Sequence, residues 1–173
     1  GSVNNNIDAK LAAQIFEQIS AFAGYGFNKS HAAAYALISY QTAFLKVNYP
    51  VQFMAALMAL DAGNIEKLAV FRQDCVSHKI AVLPPDINSS QASFSVEKTE
   101  NSELAVRYAL GAIKNVGEEA MRQLCKTRDT VGRFLSIEQF AHHLPREVAN
   151  KRQIENMVNA GVFDHLHENR RQV

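Results

Sequence analysis

The chain contains no tryptophan, only two cysteines, four prolines and almost no net charge. Each shortage excludes something. Cys75 and Cys125 stand far apart without CxxC spacing, so neither a disulfide framework nor a zinc cluster is expected, and a reducing compartment suits the chain. No apolar run approaches the roughly 20 residues needed to cross a bilayer. No basic-then-apolar leader is visible either. Eighteen Lys and Arg oppose seventeen Asp and Glu for a net charge of +1, which removes the usual compositional argument for a nucleic-acid binder. A sum is silent on placement, however. A charged content of 20% with 47% apolar residues excludes wholesale disorder. The 173 residues suffice for one ordinary domain or two small ones, with a core that needs no covalent staple. Gly1-Ser2 reads as the remnant of a cleaved tag, and Arg170-Arg171-Gln172-Val173 carries no stop signal. The expectation is an excised piece of a longer protein.

What is present is mainly helical. Residues 1–7 are a polar lead-in. Asp8 suits a helix N-cap, and Leu11, Ile15, Phe16, Ile19 and Phe22 recur at three- and four-residue spacing. Two glycines around Tyr25 break that helix. A second helix is expected over 32–48, capped by Asn28 or Ser30. It is apolar on so much of its circumference that burial on most sides is expected. Pro50 separates it from a third helix over 51–60. A fourth, over 65–77, turns Leu68, Phe71 and Cys75 inward. From Ile80 the character changes. Ile80-Ala81-Val82-Leu83 is β-rich, and 93–96 with 104–110 read as two antiparallel strands joined by a polar loop. Helices are expected again over 118–126, over 137–143 behind the cap Ser136, and over 148–159, with Asp164 starting another. The fold class is therefore mainly α with a small antiparallel β element. Splitting the charge at residue 110 gives eight basic and nine acidic residues before it, ten and eight after it. The later part is the more anion-facing.

Three features carry chemistry. Ile113-Lys114-Asn115-Val116-Gly117 followed by Glu118-Glu119-Ala120 has the form of a helix-hairpin-helix turn. Such a turn exposes consecutive backbone N–H groups at a helix N-terminus, where they bind one phosphate. Asn115 occupies the first glycine position and tolerates a left-handed conformation, while Lys114 adds charge. The residues equally describe an ordinary strand-to-helix turn with no ligand. A second, degenerate copy runs from Asn150-Lys151-Arg152 to Ala160-Gly161-Val162-Phe163-Asp164. In tandem the two would touch successive phosphates without reading sequence, though Gly161 serves as well as a simple helix C-cap. The third feature is Asn28-Lys29-Ser30-His31 at the start of the apolar helix. Polar and cationic groups there hold a phosphate, or merely cap the helix. The adjacent His142 and His143 point to different faces and make poor joint metal ligands. No Ser/His/Asp or Cys/His arrangement is seen.

Six separated blocks also resemble the C-family replicative DNA polymerases of bacteria, the alpha subunits of DNA polymerase III. They are residues 22–35 with Gly24-Tyr25-Gly26-Phe27-Asn28-Lys29-Ser30-His31; Ser39-Tyr40-Gln41-Thr42; residues 49–58; Leu83-Pro84-Pro85-Asp86-Ile87-Asn88; Gly111-Ala112-Ile113-Lys114-Asn115-Val116-Gly117; and Asn150-Lys151-Arg152 with residues 160–164. Their order and spacing cover nearly the whole chain. Asn28-Lys29 and Tyr40-Gln41-Thr42 favour the replicative over the error-prone relatives. The resemblance implies that residues 8–79 are the C-terminal part of the polymerase fingers, 80–110 a linking β element, and 111–173 a tandem helix-hairpin-helix region. It implies contacts to the incoming deoxynucleoside triphosphate from Asn28, Lys29, Ser30, His31 and Tyr35. It implies contacts to duplex primer-template DNA from Lys114, Asn115, Val116, Gly117, Lys151, Arg152 and Gly161. The family's two metal ions, Mg2+, are held by palm aspartates that these residues do not include, so no catalytic or metal-ligating residue is expected here and the piece alone is expected to be inactive. Regions that meet the sliding clamp, the clamp loader and the proofreading subunit are likewise absent. The location implied is the bacterial cytoplasm, with no membrane contact. Two other readings stand beside it: an independent helix-hairpin-helix DNA-binding module, and a scaffold whose apolar helices dock a partner.

Overall fold

The computed structural model describes residues 5, 7–25, 29–146, 148 and 150–172. The chain divides into two compact units, Gly1–Phe44 and Leu45–Val173. In the first, α1 (Ala9–Tyr25) begins where the Asp8 carboxylate accepts the Leu11 amide at 3.0 Å, the capping role its position implies. Helix α2 (Lys29–Asn48) begins three residues earlier than expected. Ser30 therefore lies inside its first turn and not ahead of it, and Asn28 falls outside the described residues. The expected burial of α2 is not found. None of its residues is buried, and Tyr35, Leu37, Ile38 and Tyr40 stand 54–67% exposed. An apolar circumference shows that a helix needs cover; it does not show that the cover lies in the same stretch of chain.

The second unit is built around two apolar clusters. Pro50 occupies the first turn of α3 (Pro50–Leu60), where its missing N–H leaves no bond unmade. Asn64 caps α4 (Ile65–Ser77) by accepting the Lys67 amide at 3.1 Å. Strands β1 (Val82–Leu83), β2 (Ser95–Lys98) and β3 (Leu104–Arg107) form one sheet in the order β1-β3-β2. The hairpin β2-β3 is antiparallel, as expected, and pairs Val96 with Val106, while β1 joins β3 in parallel with Val82 opposite Val106. The sheet is therefore mixed. Strand β3 stops short of residue 110 because Leu110–Ala112 tightens into a 3-10 turn. Across the hairpin the buried Arg107 grips Glu97 with two bonds of 2.6 and 2.7 Å and donates to the Pro84 carbonyl at 2.7 Å. Val51, Met54, Met58, Leu68, Cys75, Phe94 and Val106 make the first cluster.

Helices α5 (Glu118–Val131), α6 (Ile137–His143) and α7 (Lys151–Asn159) surround the second cluster, which includes Leu110, Met121, Leu124, Cys125, Phe134, Phe140, Val148, Met157 and Val162. Tyr108 packs against both clusters. Helix α5 runs beyond Lys126 to Gly132, whose φ of +86° ends it. Ser136 caps α6 as its position implies, accepting the Gln139 amide at 3.2 Å. Asp164 starts no helix. Its amide closes a turn onto the Gly161 carbonyl at 3.2 Å, and its carboxylate is taken by Arg170.

A polar loop lies inside this second cluster. The buried Asp86 carboxylate accepts the amides of Asn88 and Ser89 at 2.9 and 2.8 Å and the His165 Nδ1–H at 2.8 Å. The Asn88 side chain exchanges two bonds with the Phe134 backbone at 2.9 and 2.8 Å. Ser90 donates to the Tyr108 carbonyl at 2.8 Å. From α5 the buried Arg128 donates to the carbonyls of Ile87 and Ser90 at 3.0 and 2.6 Å. Burial by itself would raise the Asp86 carboxyl, but the bonds from His165, Ser89 and Asn88 outweigh it and hold the group below the usual carboxylate range. A carboxyl lowered on folding contributes stability that is fully present above its unfolded value of about 3.9 and is lost as pH falls through the folded value. The urea midpoint of the wild-type chain should therefore drop below about pH 4. In Asp86→Asn that acid limb should be visibly shallower, and an unchanged limb would remove Asp86 from the account.

Candidate nucleic-acid interface

The turn at residues 113–117 hangs between two buried anchors, Ile113 and Val116. The Val116 amide donates to the Ile113 carbonyl at 3.0 Å, and Asn115 takes a φ of +62°, the left-handed conformation that its place in the motif demands. Lys114 and Asn115 are exposed. Gly117 is the N-cap of α5 and supplies no side-chain cap. The first-turn amides of α5, which like those of any helix have no intrahelical acceptor, therefore receive no side-chain cap from Gly117 and lie at the positive end of the helix dipole. Glu118 and Glu119 stand at the same end, but both lean along the helix: Glu118 meets Arg122 at 2.6 Å, and Glu119 accepts from Gln123 at 3.0 Å. Val116 contributes to any ligand only through the shape of the turn, because its side chain is buried and its amide is used.

The two glycines of the turn differ in their reasons. A Cβ on Gly111 would sit 2.7 Å from the Ala92 carbonyl oxygen and 3.0 Å from the Glu118 Cα, both backbone atoms. A Cβ on Gly117 would meet nothing nearer than 4.0 Å, and its backbone is extended, with a φ of −79°. The fold needs glycine at 111. At 117 packing sets no such requirement.

The start of α7 lies against this turn. Arg152 donates from Nη2 to the Asn115 Oδ1 at 3.2 Å, and Gln153 Nε2 is one of the two atoms nearest the absent Cβ of Gly117. Residues 37 apart in sequence thus share one face. Asn150 caps α7 by accepting the Arg152 amide at 2.9 Å. Lys151 extends into solvent, 89% exposed, with Glu155 at 3.8 Å. It also borders a groove of about 750 Å³ whose walls include Ile154, Val158, Arg170 and Arg171.

Gly161 closes α7. Its φ is +82°, its amide donates to the Val158 carbonyl at 2.9 Å, and the Val162 amide donates to the Met157 carbonyl at 3.1 Å. That pair of bonds, with Val162 and Met157 both buried, is a Schellman cap. A Cβ at 161 would lie 2.6 Å from an Arg170 guanidinium nitrogen and 2.8 Å from an Asp164 oxygen. The Arg170 bond holds the Asp164 carboxyl below its ordinary range. Gly161 and its amide are engaged within the protein.

In the first unit, Lys29, Ser30 and His31 occupy the opening turn of α2, all exposed. The ring of Tyr35 stacks on that of His31 with centroids 4.3 Å apart and planes 13° from parallel. Asn28, the remaining residue of this group, is outside the described residues. Among the described residues no group of three or more His, Cys, Asp or Glu side chains is placed to hold a metal ion, and no single helix is long and apolar enough to cross a membrane.

The helix-hairpin-helix motif family matches residues 79–173. The chain belongs to that family. Along its whole length it is 51% identical to DNA polymerase III subunit alpha of Caulobacter vibrioides, of which it covers 15%. Over 98% of the chain it is 44% identical to the same subunit of Neisseria meningitidis, covering 14% of it. Over 95% it is 43% identical to that of Thermus aquaticus, covering 13%. The chain thus spans about 15% of the length of the curated relatives it matches. The resemblance read from six blocks is a similarity along the whole chain. Two features of the site were not readable beforehand: the Arg152–Asn115 link, and the loop at 86–90 that seats α5.

The contrast between the glycines is measurable. Gly111→Ala should lower the free energy of unfolding by about 2 kcal/mol through overpacking against backbone. Gly117→Ala should cost no more than about 1 kcal/mol, the loss of a favourable N-cap residue. Urea unfolding of the two variants reads the difference, and equal losses would mean that both glycines serve the fold.

Proposed function

We propose that this chain is a segment of a bacterial replicative, template-directed DNA polymerase. In this reading the helix-hairpin-helix portion holds duplex primer-template DNA by its backbone, and the start of α2 contacts the incoming deoxynucleoside triphosphate. The observation that carries it is the left-handed turn at Asn115 opening into an α5 N-terminus without a side-chain cap, within the stretch that matches the helix-hairpin-helix motif. Such an end offers backbone N–H groups to a phosphate, and Lys114 and Lys151 add charge beside it. Contacts of this kind fix position without reading bases. At the other site Lys29 and His31 supply the cationic and hydrogen-bonding groups for a triphosphate, with Tyr35 stacked on His31 as a platform. Nucleotidyl transfer and its two divalent ions, Mg2+, belong in this reading to a palm beyond the chain, as do the surfaces for the sliding clamp, the clamp loader and the proofreading subunit. The cytoplasm is the compartment the reading requires.

A stand-alone duplex-binding module is the second reading, favoured by the apolar cluster from Ile87 to Phe163 beneath the hairpin. The exposed apolar side chains of α2 weigh against it, since an independent module has no use for them. Nucleotide incorporation on a primed template by the chain alone would overturn the assignment of catalysis to a palm elsewhere.

Duplex binding by the chain should be independent of sequence and fall steeply with salt. Lys114→Glu should weaken it by roughly three- to tenfold, read by fluorescence anisotropy on two unrelated duplexes. An unchanged affinity would leave the turn a purely structural device. In the full-length polymerase carrying this segment, Lys29→Ala and His31→Ala should each raise the KM for deoxynucleotide or lower kcat. Wild-type values for both would assign these residues to helix capping alone.

A further inference from the structure

We propose that Arg152 is a positioning residue that holds the hairpin at Asn115 in its left-handed, phosphate-ready shape, and does not itself contact the phosphate. The proposal rests on the duplex-binding reading above. Its starting point is the residue at 115. A glycine there would adopt a positive φ freely; asparagine tolerates it at some strain. Asn115 has a φ of +62° and an exposed side chain, so the core does not hold that side chain in place. The Arg152 Nη2 bond to Asn115 Oδ1, at 3.2 Å, fixes the side chain and, through it, the backbone.

The tether is anchored at its far end. The Arg152 amide donates to the Asn150 Oδ1 at 2.9 Å, and the Arg152 carbonyl accepts from the Asn156 Nδ2 at 2.6 Å. One turn further, Met157 and Val158 are buried in the core. Arg152 therefore reaches the hairpin from a rigid helix. The bond has an electrostatic use as well. Asn115 Oδ1 is a partial negative charge at the edge of a site that receives an anion, and a guanidinium donating to it offsets the repulsion. Lys151, next in the chain and 89% exposed beside Glu155 at 3.8 Å, is left to meet a phosphate directly. Arg152 thus compensates for the asparagine standing where the motif calls for glycine.

The experiment is a double-mutant cycle of Arg152→Ala with Asn115→Gly, in which glycine makes the tether unnecessary. Duplex affinity is measured by anisotropy at several salt concentrations, with urea unfolding as a folding control. Arg152→Ala in the wild-type background should weaken binding about fivefold, the scale of one ordinary hydrogen bond of about 1 kcal/mol, with the salt slope unchanged. The same substitution on Asn115→Gly should change affinity less than about twofold. In the free chain the backbone and side-chain amide resonances of Asn115 should shift in Arg152→Ala. An equal loss in both backgrounds with the salt slope reduced by about 1 would make Arg152 a direct phosphate contact and overturn the proposal. No loss in either background, or Asn115 resonances that do not move, would also overturn it. Failure of the duplex reading looks different: the wild-type chain and Lys114→Glu would bind equally poorly, and the positioning role would fall with it.

Discussion

The structure depends on satisfying the polar groups of the loop at residues 86–90. A carboxylate, an amide and a hydroxyl enter the interior there, and each unsatisfied group would cost about 1–3 kcal/mol. The neighbours are arranged to meet them. Phe134 offers its backbone to Asn88, Tyr108 its carbonyl to Ser90, His165 its ring to Asp86, and Arg128 its guanidinium to two carbonyls. These partners come from β3's end, α5, the approach to α6 and the turn after α7. The loop thus fastens four parts of the chain, and removing Arg128 would strand two buried carbonyls.

The hairpin inherits its rigidity from that arrangement. It opens α5, whose Arg128 is locked into the loop, and it is propped from the other side by α7. A backbone phosphate site needs its amides held in place beforehand, because ordering them at the moment of contact would consume binding energy. Composition is blind to this. In the proposed reading a chain of net charge +1 binds phosphate through peptide N–H groups that no charge count records, and its acidic neighbours Glu118 and Glu119 are bonded along the helix to Arg122 and Gln123.

Local signals read well from the sequence, and long-range ones did not. Asp8, Ser136 and Pro50 mark helix ends through chemistry confined to a turn, and those ends lie close to where that chemistry places them, whereas α5 runs past the expected Lys126 to Val131. Asn115 was legible as a left-handed residue for the same reason. The parallel partner of β1 was not, since two residues carry too little pattern to name a neighbour. The exposure of α2 escaped because periodicity describes a surface and not what lies over it. Asp164 had the identity of a helix start, but an arginine six residues on claimed its carboxylate. The link from Arg152 to Asn115 crosses 37 residues and has no local signature at all.

The two thiols acquire a use from where they sit. Cys75 lies in the cluster between α3, α4 and the sheet, and Cys125 in the cluster beneath the hairpin. Burial raises both above the ordinary thiol range, which keeps them as unreactive thiols while the interior is closed. Each cluster therefore contains one native chemical clock. The pace at which a thiol reagent marks each cysteine reports how often that particular interior opens, so the two halves of the second unit can be timed separately without adding any label.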